Sequence, residues 1–429
     1  MHLRPYQEQA ATVMYELDYS MMLASVGAGK TAAALTAMKE LLAAGHIKRW
    51  LVLAPKRVCT HVWPLEAPKW ASGLTIAVAD GTPKQRATAF SSKAQVVVMA
   101  YDNLQWLTAA HIKGFDGLIL DELTRLKNPS GQRFKALFRF IAQFTTRVGL
   151  TGSFTSNGLE DCFGQCKIVD QRLLGRSKGA FLQQYFYLVN KEFNQWEPRP
   201  GALEAVMERI KPATFVLDAG EYKDKLPPLH TVEIKCSMDM ADYRTMKRDF
   251  VVQFPDALAI AANAGVVTQK LRQMAAGFAY VPEALWLSDH KFEALADLLD
   301  ENQHANTIIV YNFVAEMEEL KRRYPKAQTL DDKDAIARWN AGEIELLLLQ
   351  PQGAAHGINL QHGGHHMVFM SLPWSLELYE QTIGRLHRSG QKHPVWCYVI
   401  LTNGTIDERV LAALRDKRSL SDIALKELT

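Results

Sequence analysis

The stretch Ala24-Ser25-Val26-Gly27-Ala28-Gly29-Lys30-Thr31 decides how the rest of the chain is read. Its glycines let the backbone curl so that successive N–H groups point into one hollow. A following helix would add its positive N-terminal end, and together they suit a nucleotide's phosphates. Lys30 then reaches the β- and γ-phosphates, and the Thr31 hydroxyl takes one position on Mg2+. The usual phosphate-loop pattern opens on glycine, where this chain has Ala24. The flanks agree with the loop: Tyr19 to Leu23 predicts a short strand, and Thr31 to Leu42 a helix. The plainer alternative is a glycine turn with a chance lysine.

Outward from the loop, residues 1–155 alternate helical patterns with short aliphatic runs at 50–54, 74–79, 96–100, 117–121 and 148–152. Such runs suit strands buried on both faces, hence an α/β fold with a parallel sheet wrapped by helices. Ligands of such sheets sit at the carboxyl ends of strands. Three runs end there in polar residues: Ala54-Pro55-Lys56-Arg57, Asp121-Glu122 and Thr151-Gly152-Ser153. Asp121 can hold Mg2+ opposite Thr31, and Glu122 can orient and deprotonate an attacking water. A solvated acidic strand end is the bland alternative.

The chain has 429 residues, which suggests two domains. At 48% hydrophobic and 22% charged it can fill sizeable cores. A net charge of +3 is too small to announce nucleic acid, so any basic groove must be local. The five cysteines are scattered, only Cys162 and Cys166 being close, which predicts reduced thiols. No apolar run approaches the ~20 residues of a membrane span, and no signal peptide precedes Leu3-Arg4-Pro5-Tyr6-Gln7; a soluble, cytoplasmic protein is expected.

From Asn157 to about Leu226 the pattern predicts helices with little β character, and no wedge hairpin that could part strands. The stiff Leu226-Pro227-Pro228-Leu229 marks the domain boundary. Residues 238–285 again read as largely helical. A second α/β series follows, with strands expected at 307–311, 344–350, 367–371 and 396–401 and no phosphate loop of its own. It carries Gln381-Thr-Ile-Gly-Arg385-Leu-His387-Arg388-Ser-Gly-Gln391, whose arginines, three apart, would share a helical face.

Taken in order, these residues resemble the superfamily-two helicase core, and within it the Swi/Snf-like double-stranded DNA translocases. Leu3 to Gln7 is similar to the adenine-recognising opening motif, and the phosphate loop to motif I. Asp121 to Asn128 resembles motif II, Gly149 to Ser153 motif III, Gly357-Ile-Asn359 motif V and Gln381 to Gln391 motif VI, with Arg388-Ser-Gly-Gln391 the most family-specific run. The chain departs at motif II, where Leu123-Thr124 replaces the last two residues, including the usual histidine. It departs again at Gly384 and in the loose Gly353-Ala-Ala-His356.

The resemblance implies two RecA-like lobes with parallel sheets, an ATP cleft between them and helical insertions. Lobe one would run 1–226, with an insertion at about 157–225, and lobe two 227–429, with an insertion at about 238–285. It further implies an ATPase that moves along duplex DNA, of the compact bacterial or phage type, working as a monomer with a protein partner for targeting. ATP and Mg2+ would be held by Gln7, Ala24, Ser25, Val26, Gly27, Ala28, Gly29, Lys30, Thr31 and Asp121. Catalysis would fall to Lys30, Glu122, Arg385 and Arg388, with Arg388 as arginine finger and Gln7 selecting adenine. Nucleic-acid contacts are expected from Lys56, Arg57, Tyr101, Asn103, Asn312, Asn359 and Trp374, which share strand-end positions. His356, His362, His365 and His366 read as loop histidines rather than a metal site. The alternatives are a strand-separating DNA or RNA helicase and an ATP-gated clamp that displaces bound proteins.

Overall fold

A computed structural model of the chain describes residues 2–24, 27–191, 195–217, 226–254, 257–260, 264–354 and 358–428. The chain divides into two units, Met1–Lys223 with Lys417–Thr429, and Asp224–Asp416. The expected second lobe ran to residue 429, whereas the end of the terminal helix Ile406–Leu428 is counted with the first unit.

The first unit is built on a seven-stranded sheet. Its spatial order is Ile76–Ala79, Val96–Ala100, Trp50–Ala54, Gly117–Asp121, Thr146–Thr151, Tyr19–Leu23 and Thr214–Val216. Every pairing is parallel. Strand side chains alternate between faces, so both faces must be apolar when helices cover both. Leu118 and Leu120 pack with Leu51, Leu53, Val97 and Met99 on one face, beneath the helices Gln132–Phe138 and Asp161–Val169. Ile119 faces the other way with Val52, Val98, Val148 and Leu150, beneath Pro5–Glu16 and Lys30–Ala43.

The second unit repeats the scheme with six strands, in the order Leu229–Cys236, Val395–Thr402, His366–Phe369, Thr307–Val310, Leu346–Leu349 and Gln328–Thr329. These pairings are parallel too. Ile308 and Val310 lie on one face with Leu347, Leu349 and Phe369, and Ile309 on the other with Leu348 and Val368.

Both expected insertions hold more strand than periodicity suggested. In the first, Phe186–Asn190 and Gln195–Pro198 form an antiparallel hairpin, and Thr214–Val216 joins the main sheet beside Tyr19–Leu23. In the second, Val251–Phe254 pairs with Ala257–Ile260 and Phe278–Tyr280 with Ala284–Trp286. Segments of three to five residues are too short to display a period. The strand Leu229–Cys236 was missed for another reason: it alternates half-buried and exposed residues and looks unlike the buried runs beside it. The five cysteines are free, with Cys162 and Cys166 buried in the first unit's core. Among the described residues no helix is long and apolar enough to cross a membrane.

Candidate functional site

The strand Tyr19–Leu23 delivers Ala24, whose N–H donates to Thr151 O at 3.0 Å. Gly27 and Gly29 then take φ of 87° and 82°, a left-handed region that only glycine enters cheaply. Gly29 caps the helix Lys30–Ala43, so that helix opens at the loop. Lys30 Nζ donates to Ala24 O at 2.6 Å, folding the ammonium over the loop's own start. Gln7 is buried against this turn: Nε2 donates to Ala28 O at 3.3 Å, and Oε1 accepts from Arg4 N at 2.9 Å. A Cβ on Gly29 would lie 2.0 Å from Gln7 Nε2, so any side chain there would displace the Gln7 amide. Ala28 is buried, and Thr31 half-buried in the first turn of the helix. Ser25 and Val26 lie outside the described residues.

Two strands away in the sheet, Gly117–Asp121 brings the acidic pair to the same carboxyl edge. Asp121 Oδ2 accepts from the indole N–H of fully buried Trp63 at 3.0 Å. Burial pushes the Asp121 carboxyl above its ordinary range, against the pull of the Trp63 hydrogen bond and the Lys30 charge. Burial raises Glu122 as well; Lys30 opposes the rise and Asp121 adds to it. Lys30 therefore acts electrostatically on both carboxylates. Glu122 has φ 63° and ψ 63°, uncommon for a residue with a side chain, and its carbonyl accepts from Arg125 N at 3.0 Å to start the short turn Leu123–Leu126. Thr124 Oγ1 donates to Glu122 Oε1 at 3.2 Å.

Leu123 is fully buried against Gly149 of the neighbouring strand, where a Cβ would lie 2.6 Å from Leu123 Cδ2. A side chain at position 149 would have to displace the Leu123 methyl groups. Lys127 is tied down similarly, with Nζ 3.1 Å from Asp161 Oδ2 and its carbonyl against Gly164.

In the second unit the helix Leu376–Ile383 is capped by Ser375, and Gln381 Nε2 donates to Glu377 Oε1 at 3.2 Å. The helix ends before the arginines, which corrects their expected place on one helical face. Arg385 and Leu386 continue as tight turns, with N–H groups bonded to the carbonyls of Thr382 and Ile383 three residues back. Arg385 is buried; Arg388 is half-buried, and its guanidinium donates to Ile358 O at 3.2 Å. Gln391 holds the run in shape, its Nε2 donating to the carbonyls of Gln361 and Gly364 at 3.0 Å each.

The nucleic-acid candidates fare unequally. Tyr101 is a correction: it is 3% exposed, and its phenol is pushed up by burial and by the charges of Asp121 and Glu122, so it belongs to the core and not to a surface that grips phosphates. Lys56 is exposed and Arg57 half-buried at the start of the helix Lys56–His61. Asn103 accepts from Arg86 at 2.8 Å, and Asn312 donates to Ser371 O at 2.6 Å. Asn359 is exposed, and Trp374 presents 48% of its surface to solvent. His356 and Gly357 fall outside the described residues. Among the described residues, no three His, Cys, Asp or Glu side chains are grouped as metal ligands. Trp63 and Thr124 escaped the sequence reading. The signal for Trp63 was its indole N–H, which needs a partner once buried; Thr124 was legible only as a missing histidine.

Residues 6–274 match the SNF2-related domain and residues 290–390 the helicase conserved C-terminal domain. The chain belongs to the SNF2-related family. With membership comes the enzyme class, a nucleic-acid-dependent ATPase with two RecA-like lobes. Protein p41 of Acyrthosiphon pisum secondary endosymbiont phage 1 is 34% identical over 99% of this chain and 98% of its own length. The uncharacterized ATP-dependent helicase YqhH of Bacillus subtilis (strain 168) is 24% identical over 99% and 80%. The DNA repair and recombination protein RAD54-like of Drosophila ananassae is 24% identical, and the match spans 62% of that longer protein. Among solved structures, the Sulfolobus solfataricus SWI2/SNF2 ATPase core in complex with dsDNA aligns over 99% of this chain and 93% of that one, at 20% identity and a TM-score of 0.48.

Proposed function

We propose that this SNF2-related ATPase hydrolyses ATP with Mg2+ to move along duplex DNA, as a monomeric motor in the cytoplasm of a bacterial or phage-infected cell, brought to its target by a protein partner. One observation carries the reading: Lys30, Asp121 and Glu122 converge at one sheet edge, with the Lys30 cation acting on both carboxylates. The donors there fit Mg2+, because the Thr31 hydroxyl and the Asp121 carboxylate are hard oxygen ligands. Bound Mg2+ neutralises charge on the transferring phosphoryl group.

The chain's own residues do the rest. Backbone N–H groups of the 24–31 loop and Lys30 hold the phosphates, while Gln7 reads the adenine edge. Glu122 takes the proton of the attacking water at its carboxylate. Arg385 and Arg388 meet the charge that grows in the transition state, Arg388 as the finger. The Arg388-Ser-Gly-Gln391 run and the DNA-repair names of the RAD54-like relatives support duplex DNA as the track. Lys56, Arg57, Asn103, Asn312, Asn359 and Trp374 remain the proposed backbone contacts.

A second reading, a strand-separating helicase, is favoured by the hairpin Phe186–Pro198, on which Tyr187, Leu188 and Val189 are 44%, 40% and 48% exposed. Apolar side chains held out in solvent are the chemistry that wedges between base pairs. ATPase rates on duplex DNA, single-stranded DNA and RNA, followed by triplex displacement, test the two readings. Duplex DNA should stimulate best, and a third strand should be removed in an ATP-dependent way. Best stimulation by a single strand, with unwinding of a forked duplex, would establish the second reading instead.

A further inference from the structure

Resting on the assignment of Glu122 as the water-activating base, we propose that Thr124 is a positioning residue for hydrolysis: its hydroxyl aims the Glu122 carboxylate. The backbone of Glu122 is already set, because its carbonyl accepts from Arg125 N at 3.0 Å and its φ is 63°. Backbone placement alone leaves the carboxylate free to rotate about three side-chain bonds, two of them with several wells. A base that must meet a water in line with a phosphorus needs one oxygen in a fixed direction, and a displacement of about 1 Å costs on the order of 10²-fold in rate. Thr124 supplies that constraint. Its Oγ1 donates to Glu122 Oε1 at 3.2 Å, which fixes the plane and rotation of the carboxylate.

The donor is itself well held. Thr124 is 3% exposed, and its carbonyl accepts from Lys127 N at 3.2 Å. As a β-branched residue it is restricted at χ1, and the hydrogen bond to Glu122 selects among the few rotamers left. On one side it is braced by Leu123, seated on Gly149. On the other is Lys127, paired with Asp161. A side chain two residues from the base, locked by the packing around it, thereby orients a catalytic group that it never replaces.

The test compares Thr124→Val, Thr124→Ser and Glu122→Gln with the wild-type chain, measuring kcat and KM for ATP at saturating duplex DNA together with Tm. Valine keeps the shape and removes the hydroxyl. Thr124→Val should lower kcat by about 10- to 100-fold with KM within about twofold of wild type, because only an interaction used in the transition state is lost. Thr124→Ser, which restores the donor, should recover most of that loss. Tm should stay close to wild type in both. Thr124→Val turning over within twofold of wild type while Glu122→Gln is inactive overturns the proposal alone. Equal loss of turnover and of Tm in the valine and serine variants overturns it too, since packing would then be the cause. A Glu122→Gln protein that keeps more than about a tenth of wild-type turnover overturns the assignment of the base, and the proposal with it.

Discussion

The Lys291 cluster of the second unit and the acidic pair of the first bury charge in opposite ways. In the second unit Lys291 is 1% exposed, and its Nζ donates to Met370 O at 2.8 Å, Ile400 O at 3.2 Å and Asp407 Oδ2 at 2.6 Å. Asp407 Oδ2 also accepts from Thr402 N at 3.1 Å. Three donors for three acceptors satisfy the ammonium, and the cluster ties two strands to the start of the last helix. In the first unit Asp121 and Glu122 sit side by side, both raised by burial and partly relieved by Lys30, Arg125, the Trp63 indole, the Thr124 hydroxyl and the Glu122 backbone N–H. Two adjacent carboxylates that burial still raises against those partners are a poor device for stability and a suitable one for gathering a metal and a phosphate. The first arrangement is architecture; the second suits the ligand-binding role proposed for it.

That contrast can be broken by substitution on either side. Lys30→Ala should abolish ATP turnover, a loss of more than about 10³-fold, while Tm hardly changes, since it removes a charge at the phosphates and no core packing. Steady-state ATPase and thermal melting of one preparation check both halves. Lys291→Ala should do the reverse: removing one partner of a buried pair leaves Asp407 uncompensated and costs about 3–5 kcal/mol in chemical denaturation. Any turnover lost should follow the fraction unfolded. Trp63→Phe sharpens the comparison with a smaller effect. It deletes the donor to Asp121 while keeping an aromatic ring, and should lower turnover several-fold and stability by about 1–3 kcal/mol. A weaker apparent affinity for Mg2+, measured by titrating the metal into the ATPase assay, is the accompanying sign.

Much of this was legible in the sequence, for reasons that differ by region. The buried strands could be read because parallel sheets covered on both faces need unbroken aliphatic runs such as Val96–Ala100 and Leu346–Leu349. The loop at 24–31 and the pair Asp121-Glu122 were singled out because the chemistry proposed for them tolerates few residue types, and the structure sets the described parts of both at one sheet edge. Leu229–Cys236 could not, since a strand paired on one side and half exposed carries a mixed pattern. Tyr101 was misplaced because position at a strand end does not tell which way a side chain turns, and this one turns inward. The arginines of motif VI were put on a helix from spacing alone, yet the helix stops at Ile383 and tight turns carry them. Long-range partners such as Trp63 for Asp121, 58 residues apart, leave no local trace at all.

Arg388 separates a two-unit motor from a one-unit nucleotide binder, because a binder of one unit has no use for an arginine carried by the other. Measured side by side, the DNA-stimulated ATPase and the thermal unfolding of Arg388→Ala decide it. The prediction is a fall in turnover of roughly 10³ or more, with ATP affinity and Tm nearly unchanged. A variant that melts normally and still hydrolyses ATP at close to the wild-type rate would contradict it, and would return Arg388 to an ordinary surface role worth under about 1 kcal/mol.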